Sequence, residues 1–186
     1  MYLRQAQPSD VDAVIPLLHS AIGDIGNMLA GTNDTAQMLK TLGQWFTQSG
    51  NRLSYEQVYV LERDGEIAGF FLAYHGNDIA VLDAPIIAQL RAQGLSGDEV
   101  VPEARPDEYY LDSIAVSPHY QGQGIGTLLI NEFEQIARQL HHTKLLLIVD
   151  LDNVRAKALY ERLGYTEDGQ ILVHGHPYYR MVKMIQ

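Results

Sequence analysis

A stretch with three glycines in five positions, QGQGIGT at residues 121–127, constrains the fold of this chain more than any other segment. It follows a strand-like run that ends at Val116 and precedes the amphipathic helical pattern that includes Leu129 and Phe133. Glycine is costly to order and packs nothing, so three glycines together require a local reason. Because ordered elements flank it directly, the stretch is predicted to be a strand-to-helix turn rather than a flexible linker.

A glycine turn at the start of a helix is suited to binding phosphate. Free backbone N–H groups converge there, the helix dipole adds about half a positive charge, and the missing side chains allow close approach. A P-loop is excluded because no lysine precedes Thr127, and a dinucleotide fingerprint is weakened because that threonine replaces its third glycine. The stretch alone leaves two alternatives, a phosphate cradle and a tight turn without a ligand.

The remaining pattern predicts an α/β or α+β mixed sheet in a single domain over residues 1–186. Two apolar runs around Asp64-Gly65 predict a hairpin, and the continuous run KLLLIV at 144–149 predicts a strand buried on both faces. A first helix is expected from Val11, kinked or split at Pro16, and a short helix is expected to open at 83–85.

Composition limits the classes of function. The net charge of −10 argues against non-specific nucleic-acid binding, which requires a basic surface. The absence of cysteine excludes disulfides, thiolate metal sites and a cysteine nucleophile, and His174 and His176 lack a third metal ligand. No apolar run approaches the ~20 residues that cross a bilayer, and the N-terminus does not resemble a signal peptide. We therefore expect a cytoplasmic protein without nucleic-acid, membrane or metal partners.

Two motifs carry a resemblance to a known family. The segment SIAVSPHYQGQGIGTLLI resembles the acetyl-CoA-binding motif of the GNAT superfamily of N-acetyltransferases, whose pattern (Arg or Gln, two residues, Gly, one residue, Gly or Ala) is met by Gln121, Gly124 and Gly126. The segment at 153–165 matches a second family pattern, Asn-x-x-Ala-x-x-Leu-Tyr-x-x-x-Gly-aromatic, at every fixed position. The resemblance covers about residues 108–185 and implies a GNAT-like fold, a mixed sheet of six or seven strands flanked by helices.

The resemblance implies direct transfer of an acetyl group from acetyl-CoA, a cosubstrate, to a primary amine of an unidentified acceptor. In it, the Val116 N–H meets the thioester oxygen, and Asn153 bonds the pantetheine arm, caps a helix, or does both. The cofactor-binding positions that it implies are Ile114, Val116, Gln121, Gly122, Gln123, Gly124, Ile125, Gly126, Thr127, Asn153 and Tyr160.

Proton transfer requires an acid and a base. Tyr160 falls on the motif's tyrosine and is the candidate acid, because a phenol with a pKa near 10 can protonate a leaving thiolate; core packing is the alternative. Glu108, Tyr110 and Asp112 share one strand face by the period of two. Glu108 matches the base position of the ribosomal-protein N-terminal acetyltransferases in the family, and Asp112 lies nearer the thioester. Glu108, Asp112 and a water relay remain alternatives for the base.

Two other functions and one segment stay open. A non-catalytic CoA-binding or regulatory module would use the same fold, and a nucleotide-dependent oxidoreductase would use the glycine turn but not the second motif. Residues 76–107 form a helix-and-loop insertion relative to the family's minimal domain. This insertion is expected either to shape the acceptor site or to make a homodimer contact.

Overall fold

The chain forms a seven-stranded mixed sheet with helices on both faces, in a computed structural model that describes all 186 residues. The strands are β1 (Tyr2–Gln5), β2 (Val58–Arg63), β3 (Glu66–His75), β4 (Tyr109–Val116), β5 (Lys144–Asp150), β6 (Thr166–Val173) and β7 (His176–Met184). The helices are α1 (Val11–Ile22), α2 (Ile25–Ala30), α3 (Thr35–Thr47), α4 (Ile79–Ala92), α5 (Ile125–Gln139) and α6 (Val154–Arg162). The predicted mixed sheet is confirmed.

The strand order is β1-β2-β3-β4-β5-β7-β6, and every pair is antiparallel except β4 with β5. The predicted hairpin joins β2 to β3, where Asp64 and Gly65 both have positive φ. That pair of conformations defines the tight turn whose twist suits antiparallel strands. The parallel pair needs a crossover, which α5 supplies.

The core has two layers, one on each face of the sheet. Helices α1–α4 cover one face, where Val14, Leu42 and Phe46 pack on β2 and β3. Helices α5 and α6 cover the other, where Leu129 and Phe133 pack on β3, β4 and β5. The strands β4 and β5 therefore have helices on both sides, which explains the continuous apolar run in β5.

One expectation about the helices was wrong, and of the two alternatives for Pro16 the split does not occur. The helix expected to open at 83–85 begins earlier, at Ile79, and Pro85 lies inside it. Burial of Ile79 and Leu82 before the proline offsets the hydrogen bond that the proline lacks. Helix α1 likewise continues through Pro16 without a split.

A bulge in β4 determines which way its side chains face. The register with β3 shifts so that Ser113 and Leu111 pair with consecutive β3 residues, which leaves Asp112 as the extra residue. Before the bulge Tyr110 faces the α1–α4 layer, whereas after it Ile114 and Val116 pack against the α5–α6 layer. Bulges of this kind re-aim side chains beside functional sites.

Candidate active site

A gap opens between the two central parallel strands. β4 and β5 pair only from Tyr109 with Leu145 to Leu111 with Leu147, although both strands continue beyond that point. The gap therefore exposes strand edges inside the sheet rather than at its border.

The β4 edge of this gap presents backbone groups of two residues. Ser117 N–H donates to Ala68 C=O at 2.9 Å, which fixes the alternation of the antiparallel β3–β4 ladder. By that alternation Ala115 bonds β3, and the N–H groups of Ile114 and Val116 point toward the gap. These are the two β4 residues that the resemblance associates with the cofactor.

The glycine stretch forms the turn into α5. Gly122 and Gly124 have φ of +74° and +80°, and a Cβ at either would meet no atom within 4 Å. The first backbone bond of the helix runs from Leu128 N–H to Gly124 C=O, so the N–H groups of residues 122–127 have no backbone acceptor. An anion at this helix start would meet donors and the positive end of the dipole.

Two glutamines hold the turn in place. Gln121 Nε2 donates to Val116 C=O at 3.3 Å, which ties the turn to the end of β4. Gln123 Nε2 donates to His119 C=O, and its Oε1 accepts from Arg63 on the β2–β3 hairpin at 2.8 Å. These side-chain hydrogen bonds hold the turn in place, and none of them uses a backbone N–H group of the turn.

The second motif builds the opposite wall of the gap. Asn153 caps α6, with its Oδ1 accepting from Ala156 N–H at 3.1 Å, and its side chain also lines the adjacent cavity. Tyr160, on the same helix, is 8% exposed and lines that cavity too. Burial raises the pKa of Tyr160 to about 12, so the phenol stays protonated at neutral pH.

One cavity of about 270 Å³ lies between the end of β4 and the second motif. It brings together Asp112, Ile114, Asn153 and Tyr160, which the sequence analysis had proposed as site residues. Glu108 does not line it, and Val116 and the glycine turn lie outside its lining. Apolar residues of α1 and α2 also line it: Ala21, Ile22, Ile25 and Leu29.

Asp112 is fixed by three donors. Its Oδ2 accepts from Arg52 Nη2 at 2.6 Å and from the Tyr74 hydroxyl at 2.5 Å, and its Oδ1 accepts from the Ser113 hydroxyl at 2.8 Å. Charge-assisted bonds of this kind hold a carboxylate in one orientation. The orientation places Asp112 on the wall of the cavity.

Two more acids surround Arg52, which is only 4% exposed. Its Nη2 also donates to Glu103 Oε1 at 2.9 Å, and its Nη1 lies 3.4 Å from Asp83 Oδ1. Burial raises the pKa of Asp83 to about 6; Arg52 opposes this shift, and the charges of Asp112 and Glu103 add to it. Burial likewise raises the pKa of Glu103. We call Arg52, Asp83, Glu103 and Asp112 the acidic cluster.

Glu108 lies in a different ion pair, at the start of β4. Both of its oxygens accept from Arg180 Nη2, at 2.7 and 2.8 Å, and Lys144 Nζ lies 3.1 Å from Oε1. Its side chain has no exposure. Burial alone would raise the pKa of Glu108, but bonds from Arg180 and from the Arg105 N–H hold it below its usual range. We call Glu108, Arg180 and Lys144 the basal ion pair.

Sequence reasoning missed Arg52 and Glu103. Arg52 sits in the loop after α3, and Glu103 in the loop after α4, and neither loop carries a family motif. The sequence around Arg52 shows only a single arginine followed by an apolar residue, and this pattern is too common to indicate a functional site. Glu103 lies in the segment expected either to shape the acceptor site or to make a dimer contact, and its side chain lines the cavity.

No helix of the chain is both long and apolar enough to cross a membrane. No group of three or more His, Cys, Asp or Glu side chains is arranged to hold a metal ion.

Comparison with known proteins identifies the family. A family model described as the acetyltransferase (GNAT) family matches residues 32–165, well over half of the chain. The chain therefore belongs to the GNAT acetyltransferase family, which places it among the acyltransferases. The match begins before α3 and so extends into the N-terminal half of the chain, where the sequence contains no family motif.

Curated relatives share this family but differ in length. The chain is 29% identical to mycothiol acetyltransferase of Mycobacterium ulcerans, over 74% of this chain and 45% of that protein. It is 31% identical to aminoglycoside N(6')-acetyltransferase type 1 of Acinetobacter haemolyticus, over 54% of this chain and 64% of that protein. The matches span from about a quarter to less than half the length of the first curated relatives.

Solved structures agree with the fold along the whole chain. A crystal structure described as an acetyltransferase is 28% identical, with a TM-score of 0.80 and full coverage of both chains. An N-acetyltransferase from Staphylococcus aureus Mu50 has a TM-score of 0.82 over 98% of this chain; at 24% identity it supports the fold alone.

Proposed function

We propose that the protein is an acetyl-CoA-dependent N-acetyltransferase that transfers the acetyl group directly to a primary amine. The observation that carries the proposal is the cavity in which the gap, Asn153, Tyr160 and Asp112 meet. When bound, acetyl-CoA supplies an acyl group already activated as a thioester. The residues of this chain then have to bind it, orient the amine and move protons.

Binding of the cofactor is assigned to backbone groups. The unpaired N–H groups of residues 122–127 suit a pyrophosphate at the start of α5. Ile114 and Val116 offer backbone groups along the gap, where an amide-bearing arm can pair as a strand would. In this proposal the Val116 N–H donates to the acyl oxygen as that oxygen gains charge, and Asn153 uses its free amide N–H₂ on the arm.

The base is assigned to Asp112, acting directly or through a water. Of the two acids from the sequence analysis, Asp112 lines the cavity and Glu108 lies fully buried in the basal ion pair. An alkylammonium must lose a proton before it can attack, since its pKa is about 10. We assign Glu108 a positioning role, in which it fixes the start of β4 through Arg180.

Tyr160 is assigned to the leaving sulfur. Burial is the cause of its raised pKa, and its side chain lines the cavity, where it can meet a ligand. A phenol with a pKa of about 12 is a weaker acid than a thiol near 8.5, so full proton transfer is uphill. Its proposed role is therefore a hydrogen bond that stabilises the departing thiolate.

The first experiment measures acetyl-CoA binding by calorimetry. Gly124→Glu adds bulk, a negative charge and a side chain at φ +80°, so binding should be lost. Gly94→Glu is the matched control, because Gly94 has φ +83° and equally open surroundings but lies at the end of α4. Equal binding by wild type and Gly124→Glu would count against the cradle.

The second experiment measures thiol release from acetyl-CoA across a panel of amines, with mass spectrometry of the product. Tyr160→Phe should lower kcat by about 10- to 100-fold and leave the Kd for acetyl-CoA nearly unchanged, because one transition-state hydrogen bond is lost. Acetyl-CoA binding without acetylation of any amine would instead favour the non-catalytic module.

A further inference from the structure

The charges on the cavity wall are unbalanced. Three acids line it, Glu103, Asp112 and Asp150, and Arg52 is the one cationic side chain among the lining residues. With Asp83 behind it, Arg52 faces three carboxylates at 2.6–3.4 Å. Buried charge without a partner is costly, so the wall as it stands favours a positively charged ligand.

Arg52 cannot serve as an anchor for a substrate carboxylate. Its Nη1 and Nη2 face Asp83, Glu103 and Asp112. Its remaining donor, Nε, is buried with no hydrogen-bond partner and is inaccessible from the cavity. An amine that also carries a carboxylate would therefore bring a negative charge into an acidic site with no free cation.

Two of the acids have unused acceptor positions. Glu103 accepts one bond from Arg52 and one from the Tyr110 hydroxyl, and Asp150 accepts one from Asp152 N–H. A carboxylate offers roughly four acceptor positions. Glu103, Asp150 and Tyr178 all line the same cavity, so both acids are open to one ligand.

The opposite wall is apolar and the space is small. Ile22, Ile25 and Leu29 line the same cavity as the acids. Its volume of about 270 Å³ is just below the ~300 Å³ at which pockets for drug-sized ligands begin. This combination suits a short methylene chain with charged ends.

We propose that the acceptor is a small aliphatic amine that carries a second positive charge and no carboxylate. Glu103 and Asp150 bind the ammonium group that does not react, and the methylene chain lies against α1 and α2. This inference rests on the proposed function and names its substrate class. In the reaction, the amine nitrogen forms the C–N bond as the C–S bond breaks. The ammonium first gives a proton to Asp112 or to water. The nitrogen loses its second proton to water as the amide forms, and the coenzyme leaves as a thiolate that takes up a proton from water to become the thiol.

Three probes of equal chain length test the charge requirement. They are 1,4-diaminobutane, 1-aminobutane and 4-aminobutanoate, whose remote groups are positive, neutral and negative. With acetyl-CoA present, kcat/KM should be about 10- to 100-fold higher for the diamine than for 1-aminobutane, since one charge-assisted hydrogen bond has about that value. The aminobutanoate should be the poorest substrate.

Two variants and one control test the residues. Glu103→Gln and Asp150→Asn should each lower the ratio of kcat/KM for the diamine to kcat/KM for 1-aminobutane by about 10-fold. Asp150→Asn keeps the test valid if Glu103→Gln does not fold, since Asp150 lies outside the acidic cluster. Glu99→Gln is the control, because Glu99 is in the same loop, is exposed and pairs with His174.

The outcomes separate this inference from the proposed function. Failure to bind acetyl-CoA removes the proposed function and this inference with it. Binding of acetyl-CoA with equal or faster acetylation of 1-aminobutane or 4-aminobutanoate overturns the substrate class alone. So does acetylation of none of the three probes, or an equal effect of both variants on the diamine and on 1-aminobutane.

Discussion

Two buried ion groups of this protein include acids four positions apart, Glu108 just before β4 and Asp112 within it, and the groups differ in charge balance. The basal ion pair sets one carboxylate, Glu108, against the cations of Arg180 and Lys144. The acidic cluster sets three carboxylates against the single cation of Arg52. Glu108 has no exposed side-chain surface, whereas the acidic cluster adjoins the cavity.

The comparison separates two uses of buried charge. A buried carboxylate with cations on several sides ties elements together, and Arg180 also donates to Glu103 C=O at 2.7 Å, which fixes the loop after α4. A buried carboxylate that lacks a cationic partner in the protein attracts a positively charged ligand. Perturbed acids in a cleft are candidates for function on physical grounds, and only the acidic cluster meets that description.

The largest expected effect is on stability, at the basal ion pair. Glu108→Ala removes the two carboxylate bonds of the buried Arg180 and leaves it Glu103 C=O and Asp168 at 3.8 Å. Removal of one partner from a buried ion pair typically costs about 3–5 kcal/mol in the free energy of unfolding. Chemical denaturation monitored by circular dichroism measures the loss. Asp107→Ala is the control, because Asp107 is the neighbouring exposed acid and also pairs with Lys144. If Glu108→Ala unfolds no more easily than the control, the anchoring role is wrong.

The next effect is on rate, at the acidic cluster. Asp112→Asn should lower kcat by about 100-fold or more, because a general base contributes about 10²–10⁴-fold, and should leave the Kd for acetyl-CoA within about threefold. Glu108→Gln, assayed at a temperature where it is folded, should keep kcat within about threefold. A larger loss of kcat in Glu108→Gln than in Asp112→Asn would restore Glu108 as the base.

A smaller effect is expected in the pH dependence of stability, to which Asp83 and Glu108 contribute with opposite signs. The pKa of Asp83 rises from 3.8 to about 6 on folding, so the folded state holds a proton that the unfolded state lacks, and stability falls as pH rises between those values. Glu108 has a lowered pKa, so its contribution is present above its unfolded value and is lost as pH falls through the folded value.

Urea denaturation between pH 4 and pH 7 measures both slopes. Asp83→Asn should remove the decline in stability between about pH 4 and pH 6. Glu108→Gln should remove the loss of stability at acidic pH. A decline that persists unchanged in Asp83→Asn would show that Asp83 is not the group that holds the proton.

The smallest effect tests how tightly Asp112 is held. Ser113→Ala removes one of its three donors and keeps those from Arg52 and Tyr74. A single hydrogen bond contributes about 1 kcal/mol, so kcat should fall by roughly fivefold. Steady-state kinetics with a saturating amine measures this, and a loss as large as that of Asp112→Asn would mean that Ser113 has a direct role.

The sequence predicted most of the second half of the chain. The turn at 121–127 and the helix start at Asn153 depend on local backbone chemistry, which glycine and a capping amide reveal within a few residues. The hairpin at Asp64-Gly65 was readable for the same reason. Asp112, Asn153 and Tyr160 were named from sequence and lie on one cavity, while their roles stay proposals.

The features that the sequence did not predict depend on contacts between residues that are distant in the sequence. Arg52 and Asp112 are 60 positions apart in the sequence, and Glu108 and Arg180 are 72 positions apart. No local sequence pattern predicts either ion pair. The start of α4 was misplaced because Pro85 is a strong local signal, whereas burial of Ile79 and Leu82 is a tertiary one. The bulge at Asp112 is visible only from the register of two strands.

The gap between β4 and β5 also bears on how this sheet avoids aggregation. Unpaired strand edges are templates for pairing with other chains, and proteins normally shield them at the border of a sheet. Here the unpaired edges lie in the interior, with further strands on both sides of the gap. A narrow extended molecule can reach Ile114 and Val116. A strand of a second protein is paired with adjacent strands of its own sheet, and those strands would have to enter the gap with it. The same placement keeps the edge open to a ligand and closed to another copy of the chain.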